Sequence, residues 1–282
     1  MENTSRIRIL MISFFIIVTY MIIEVLGGIW TNSLALIADA GHMLSDAISL
    51  LISLLAIIIG GKAASKSKSY GYKRIEILAA LLNAFTLIAI SFYIFYEGFT
   101  RFKNPPEVAS GGMLLIAFIG LLINILVAGM IYKGGDTKKN INIRSAFLHV
   151  ISDLLGSVGA ILAALLIICF QWNLADPIIS IFVAILILLS GFRVFRDAVH
   201  ILMEGTPLNI NLEVLKKEIY NLEKIEDISD IHLWSITSDI HIFTCKIKVR
   251  NGNEYRNNEI IDNIEQLLNS KGVNHVTIQI LY

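Results

Sequence analysis

Up to Gly205 the chain alternates long apolar runs with short polar clusters. About 20 mainly apolar residues cross the hydrocarbon core of a bilayer as a helix. Six stretches qualify: 8–30, 34–60, 74–97, 111–132, 143–170 and 177–196. The clusters WTNS, KAASKSKSYGYK, RFKNPPEVAS, YKGGDTKKNIN and QWNLADP separate them. Pro105, Pro106 and Pro177 fall at boundaries, where a missing N–H does least harm. Past Gly205-Thr206-Pro207 the pattern changes. Leu212, Leu215, Ile219 and Leu222 recur at helical spacing over 211–225. Strands are expected over 227–236 and 239–249, where Phe243, Cys245, Ile247 and Val249 alternate with Thr244, Lys246 and Lys248. Ile260, Ile264 and Leu268 mark a helix over 254–270, and a last strand covers 274–281. This αββαβ order predicts a compact α+β domain over 206–282, after a six-helix transmembrane domain over 1–205. At roughly 75 residues that second core is thin, which favours docking or dimerisation.

Composition agrees with a membrane protein. The chain has 282 residues, 55% hydrophobic and 16% charged, with mean hydropathy +0.69, against roughly 25% charged in soluble domains. Net charge is zero, so bulk charge implies no nucleic-acid partner. Cys169 and Cys245 make neither a metal-binding spacing nor a disulfide framework. The first apolar run is too long for a cleavable leader and lacks a small-residue cleavage site. Lys and Arg set the orientation. With the N-terminus inside, Arg6, Arg8, Lys62, Lys66, Lys68, Lys73, Arg74, Lys133, Lys138, Lys139, Arg144, Arg193 and Arg196 lie on inner segments, and only Arg101 and Lys103 on outer ones. A multi-pass cell-membrane protein with both termini in the cytoplasm is expected.

Two of the apolar runs carry residues that are costly to bury. DAGHMLSDAIS places Asp39, His42 and Asp46 on helix 2, and LHVISDLLG places His149 and Asp153 on helix 5. Residues four apart share a helix face, so each His projects with its Asp. At 1.5 Å per residue, Asp46 lies about 20 Å and Asp153 about 16 Å from the inner ends of their helices. At these depths the two copies can meet near mid-membrane. Two imidazoles and two carboxylates suit a tetrahedral divalent cation such as zinc. The carboxylates offset its charge, and the lack of thiolate lets the ion leave. Imidazole titrates at about pH 6.5, so the same ligands carry protons once the metal departs. The plainer alternative is structural glue between helices. Two copies at one depth weigh against it, because ionisable residues at depth mark pathways. Asp39 reads either as a gate or proton-path residue or as a hydrated helix-end residue. Glu24 either faces a water-filled cavity or bonds across helices, the structural role being favoured. Asn83 and Asn124 read as packing glue; Gly41, Gly156, Ser45 and Ser157 read as small residues for close approach. Asp176 reads as a helix-start residue.

These residues bring a family into view. The segments EVLGGIWTNSLALIADAGHMLSDAISLLISLLA, YGYKRIEILAALLNA, NIRSAFLHVISDLLGSVGAI, ADPIIS, HILMEGTP, IHLWSIT and HVTIQI resemble, in order and spacing, the cation diffusion facilitators. The resemblance covers nearly the whole chain. It implies a ferredoxin-like cytoplasmic domain, a homodimer, and metal efflux from the cytoplasm in exchange for protons. Its transport-site positions fall on His42, Asp46, His149 and Asp153, and a His at the first position matches the zinc-preferring pattern. Some bacterial relatives with that pattern also move cobalt or cadmium. No cofactor is implied beyond the transported cation. Departures exist too. The loop between helices 4 and 5 lacks a histidine-rich tract, and the loop between helices 2 and 3 has no His or Asp. Where relatives carry cytoplasmic metal ligands, this chain has Ser229, His232 and Lys246. His232, His241 and His275 stay candidates for a cytoplasmic metal site, against the plainer reading as surface or strand-pairing histidines.

The leading expectation is a secondary transporter, not an enzyme. The alternative is a metal-sensing membrane protein that binds zinc and signals through its cytoplasmic domain without transport, against which the altered cytoplasmic ligand set counts. An intramembrane metallopeptidase would need an HExxH, and none occurs.

Overall fold

A computed structural model describes residues 2–59, 66–134, 140–222, 225–249 and 254–281; side chains at 2–7, 9, 53, 55–59, 131–134, 140–153 and 254–257 lie outside the description. Six long helices come first: α1 (Glu2–Thr31), α2 (Leu34–Ile59), α3 (Ile75–Lys103), α4 (Ser110–Gly134), α5 (Asn140–Phe170) and α6 (Ala175–Leu202). α7 (Leu212–Tyr220), β1 (Ile225–Ser235), β2 (His241–Val249), α8 (Glu254–Ser270) and β3 (Val273–Leu281) follow. The chain divides into two compact units, Met1–Ala63 with Ala79–Phe195, and Ala64–Leu78 with Arg196–Tyr282.

In the first unit, α1, α2, α3, α4 and α6 each contain a described stretch long and apolar enough to cross a membrane. The described stretch of α5, Leu154–Phe170, is apolar as well. Large apolar side chains such as Phe15, Leu26, Leu82, Phe92, Leu115, Leu122, Phe182 and Leu189 point outward. So much exposed apolar surface suits lipid rather than water. α1 packs on α2 and α4, and α5 packs on α2 and α4. Hydrophobic burial does not drive such contacts in lipid, so small residues and interhelical hydrogen bonds carry them. Accordingly Ala35, Ala117, Ala160, Ala163 and Ala164 fill one core where α2, α4 and α5 meet. Leu87 and Ile94 of α3 meet Val183, Ala184 and Ile187 of α6 in another, together with Leu34 and Ala38 of α2.

Asp176 ties three helices together. It sits in the first turn of α6, but its carboxylate reaches across to the start of α2. Ser33 Oγ donates to Oδ1 at 2.6 Å, Leu34 N to Oδ2 at 2.8 Å and Ala35 N to Oδ1 at 3.1 Å. A helix start leaves backbone N–H groups unpaired and carries partial positive charge, so a carboxylate there is stabilising. Arg101 Nη1, from the end of α3, lies 3.7 Å from Asp176 Oδ2 and donates to the Asn32 carbonyl at 2.7 Å. The helix-start reading of Asp176 holds, though the helix it caps is a neighbour. α3 runs beyond the expected end at 97, to Lys103, because Glu97 pairs with Arg101 one turn on at 2.9 Å. The helix stops before Pro105, which disfavours helix at the residue ahead of it.

In the second unit the expected αββαβ order is present. β2 is central, antiparallel to β1 and parallel to β3. A parallel neighbour needs a crossover, and α8 supplies it. Asn211 caps α7, its side chain accepting from Glu213 N and Val214 N. α7 ends at Tyr220, short of the expected 225, and β1 begins at Ile225. Leu215 and Ile219 of α7 with Ile260, Ile264 and Leu268 of α8 pack against Phe243, Cys245 and Ile247 of β2. α6 continues to Leu202, beyond the expected 196. Its end is fastened by Gly205 N donating to the His200 carbonyl and by His200 Nε2 against the Thr206 carbonyl at 2.8 Å. A Cβ on Gly205 would lie 2.3 Å from that imidazole, so the HILMEGTP segment needs glycine there.

Two outcomes are expected. Asp176→Ala removes the buried cap and leaves Arg101 without its buried partner, which should cost about 3–5 kcal/mol and show as a lower melting temperature in detergent. Burial pushes the Cys245 thiol up to about 12, so thiolate is scarce. In a Cys169→Ser background it should resist maleimide at pH 8 in the folded protein and react on unfolding.

Candidate metal centre

α2 and α5 run antiparallel where their contacts are described. Ala35 and Leu36, in the first turn of α2, share a core with Ala160, Ala163, Ala164 and Ile167 of α5. One turn on, Asp39 lies against Gly156 and Ser157. Ser157 Oγ donates to Asp39 Oδ2 at 2.7 Å and in turn accepts from Asn124 Nδ2 of α4 at 3.2 Å. A Cβ on Gly156 would fall 2.0 Å from Asp39 Oδ1. Only glycine lets this carboxylate sit directly on the α5 backbone. Asp39 is buried, which removes the hydrated helix-end alternative.

Further along α2, His42 Nδ1 lies 3.5 Å from Asp46 Oδ2, on the shared face that their spacing requires. Both are largely but not fully buried, at 17% and 14% side-chain exposure. Asn83 of α3 donates to Ser45 Oγ at 3.0 Å, bracing α2 next to Asp46. Asn83 and Asn124 thus bridge helices, as packing glue does. His149 and Asp153 lie on α5, but their side chains fall outside the described residues. Among the described residues no three His, Cys, Asp or Glu side chains gather to hold a metal.

The sequence pattern marks Ser157 only as a small packing residue, whereas in the structure its hydroxyl holds Asp39. A signal for more was available. His149, Asp153 and Ser157 recur every fourth residue, so the hydroxyl continues the α5 stripe as Asp39 continues that of α2.

In the C-terminal unit the three candidate histidines have separate surroundings. His232 is exposed, with Nε2 3.0 Å from Asp230 Oδ1. Lys246 Nζ lies 2.8 Å from the other oxygen of the same carboxylate. The Lys246 ammonium, and His232 beside it, hold the Asp230 carboxyl below its usual range. A fixed positive charge on that carboxylate opposes a metal ion there. His241 is buried, with Nδ1 3.0 Å from Ser235 Oγ. His275 packs its ring edge against Tyr70.

With this geometry in hand, comparison with known proteins fixes the class. Residues 10–203 match the cation efflux transmembrane domain, and the chain belongs to that family, the cation diffusion facilitators. It is similar to the "Cadmium, cobalt and zinc/H(+)-K(+) antiporter" of Bacillus subtilis (strain 168), 55% identical over 273 residues, 96% of this chain and 88% of the relative. The "Zinc transporter ZitB" of Escherichia coli (strain K12) is 38% identical, with 100% of this chain and 90% of the relative covered. The "Metal cation efflux system protein CzcD" of Cupriavidus metallidurans is 37% identical over 262 residues, 93% of this chain and 82% of the relative. The chain is a cation efflux transporter of the membrane.

Burial lowers the His241 imidazole from its ordinary value. Between that lowered value and about pH 6.5 the unfolded chain binds the proton and the folded one does not. Stability from this residue is therefore full above about pH 6.5 and falls as pH drops below it. Urea midpoints of the detergent-solubilised protein should be lower at pH 5.5 than at pH 7.5, and His241→Gln should narrow the gap.

Proposed function

We propose that this chain exports zinc from the cytoplasm in exchange for protons, through a tetrahedral site of His42, Asp46, His149 and Asp153 between α2 and α5. The observation that carries the reading is the seating of Asp39 on Gly156 and Ser157. It supplies a register for the antiparallel pair. One further turn along α2 makes position 42 level with position 153 on α5, and another makes position 46 level with position 149. Each level then offers one imidazole and one carboxylate. Four such donors match the coordination number of zinc, and two carboxylates offset its charge.

The exchange follows from the chemistry of the donors. Nitrogen and oxygen ligands release a borderline ion more readily than thiolates do. As zinc leaves, the imidazoles take up protons, so one site is loaded alternately with metal and with protons. The names of the Bacillus subtilis and Escherichia coli relatives support zinc as cargo, and the former supports protons as counter-ion with cobalt and cadmium as further cargo. The distribution of Lys and Arg supports cytoplasmic termini in the cell membrane. The thin C-terminal core supports a homodimer.

In proteoliposomes with a clamped pH gradient, His42→Ala and Asp153→Ala should each lower zinc flux by more than the roughly 10–100-fold that loss of an outer-shell partner costs. Normal flux in the combined variant would rule this site out. Zinc binding without flux in the wild-type protein would favour the sensor reading instead.

A further inference from the structure

We infer that Glu24 of α1 and Asp39 of α2 hold one proton between them, forming a second ion site outward of the metal positions. This rests on the proton-exchange reading above. Glu24 is fully buried, and neither of its carboxylate oxygens makes an ordinary hydrogen bond among the described residues. A lone charged carboxylate in such a place is among the costliest groups a protein can bury. Gly28, one turn on, lies against Leu36 and Ile37, and Tyr20, one turn back, packs with Met43, which sets Glu24 level with the buried carboxylate of Asp39, itself anchored through Oδ2 to Ser157 and through Oδ1 to the face of Gly156.

The membrane stretches of α1, α2 and α4 contain no Lys or Arg between residues 10 and 31, 34 and 52, or 110 and 130. On its own helix Glu24 faces Tyr20 electrostatically, whose hydroxyl donates to the Ile116 carbonyl of α4. α4 brings no titratable side chain over Ser110–Met130. His42 and Asp46, further along α2, act on Asp39 through space. From α5 the described contact is a hydroxyl, that of Ser157.

A proton fits here better than a metal. Two adjacent buried carboxylates repel when both are ionised, and one proton between them removes the repulsion. It needs only two oxygens, whereas hard metal cations take about six or more. The tight seat on Gly156 leaves little room for such a shell. Proton loss would leave two negative charges facing each other between α1 and α2, in apolar surroundings. The pair would relax by parting or admitting water, and α2 also carries His42 and Asp46. Proton release at Glu24 is in this way linked to movement of the metal ligands.

Glu24→Gln keeps the shape and cannot ionise. In the full-length reconstituted protein it should exchange one proton fewer per zinc. The zinc concentration ratio sustained by a one-unit pH gradient should then fall about tenfold, while zinc affinity in detergent stays as in wild type. Glu24→Asp, which keeps the carboxyl, should restore much of the ratio. An unchanged ratio in Glu24→Gln overturns the inference. So does a loss of potassium dependence in place of pH dependence, which would mark an alkali-cation site. If wild-type zinc flux ignores the pH gradient, the exchange reading itself fails, a result distinct from either. Should Glu24→Gln not fold, the infrared carbonyl band of a protonated carboxyl in wild-type protein at neutral pH decides, and its absence overturns the inference.

Discussion

A charged or polar group taken into the apolar interior of a membrane must find its partner inside the protein, since no water is there to supply one. In this transporter the hydrogen bond from Ser157 to Asp39, made over the bare backbone of Gly156, meets that constraint between α2 and α5. It fastens α2 to α5 at a single register. A shift of one residue along either helix would swing the side chains by about 100° and break the contact. The relation between the His/Asp stripes of the two helices rests on that register.

The same rule shapes the other end of α2. Asp176 is fully buried, yet its oxygens are occupied by Ser33, by two backbone N–H groups and by nearby Arg101. The stripe on α2 thus starts from a helix end clamped to α6 and α3, while Asn83 braces it again at Ser45. On the exposed C-terminal strands the rule relaxes. There Asp230, His232 and Lys246 form an exposed cluster that water can also satisfy.

Much of this was legible along the chain because the signals are local. Twenty apolar residues mark a span without reference to any neighbour, and all six helices appear close to the expected places. Alternation on β2 and helical spacing on α7 and α8 likewise reported which faces are buried. Helix ends were less legible. Arg101 and the His200–Thr206 contact extend α3 and α6 beyond their apolar runs, and charged residues there look like loop until their partners are known.

The sequence by itself determined that the protein spans a membrane, that two helices carry His/Asp pairs at one-turn spacing, and that an α+β unit follows. Composition and periodicity are properties of neighbouring residues, so they survive without a fold. Tertiary structure alone decided that Asp39 is seated on α5 rather than at a wet helix end, that Asp176 caps a helix other than its own, and that Glu24 is buried at the level of Asp39. Those facts depend on which helix faces which. The free energy of a buried carboxylate is set by what stands opposite it in space, and that neighbour is far away along the chain.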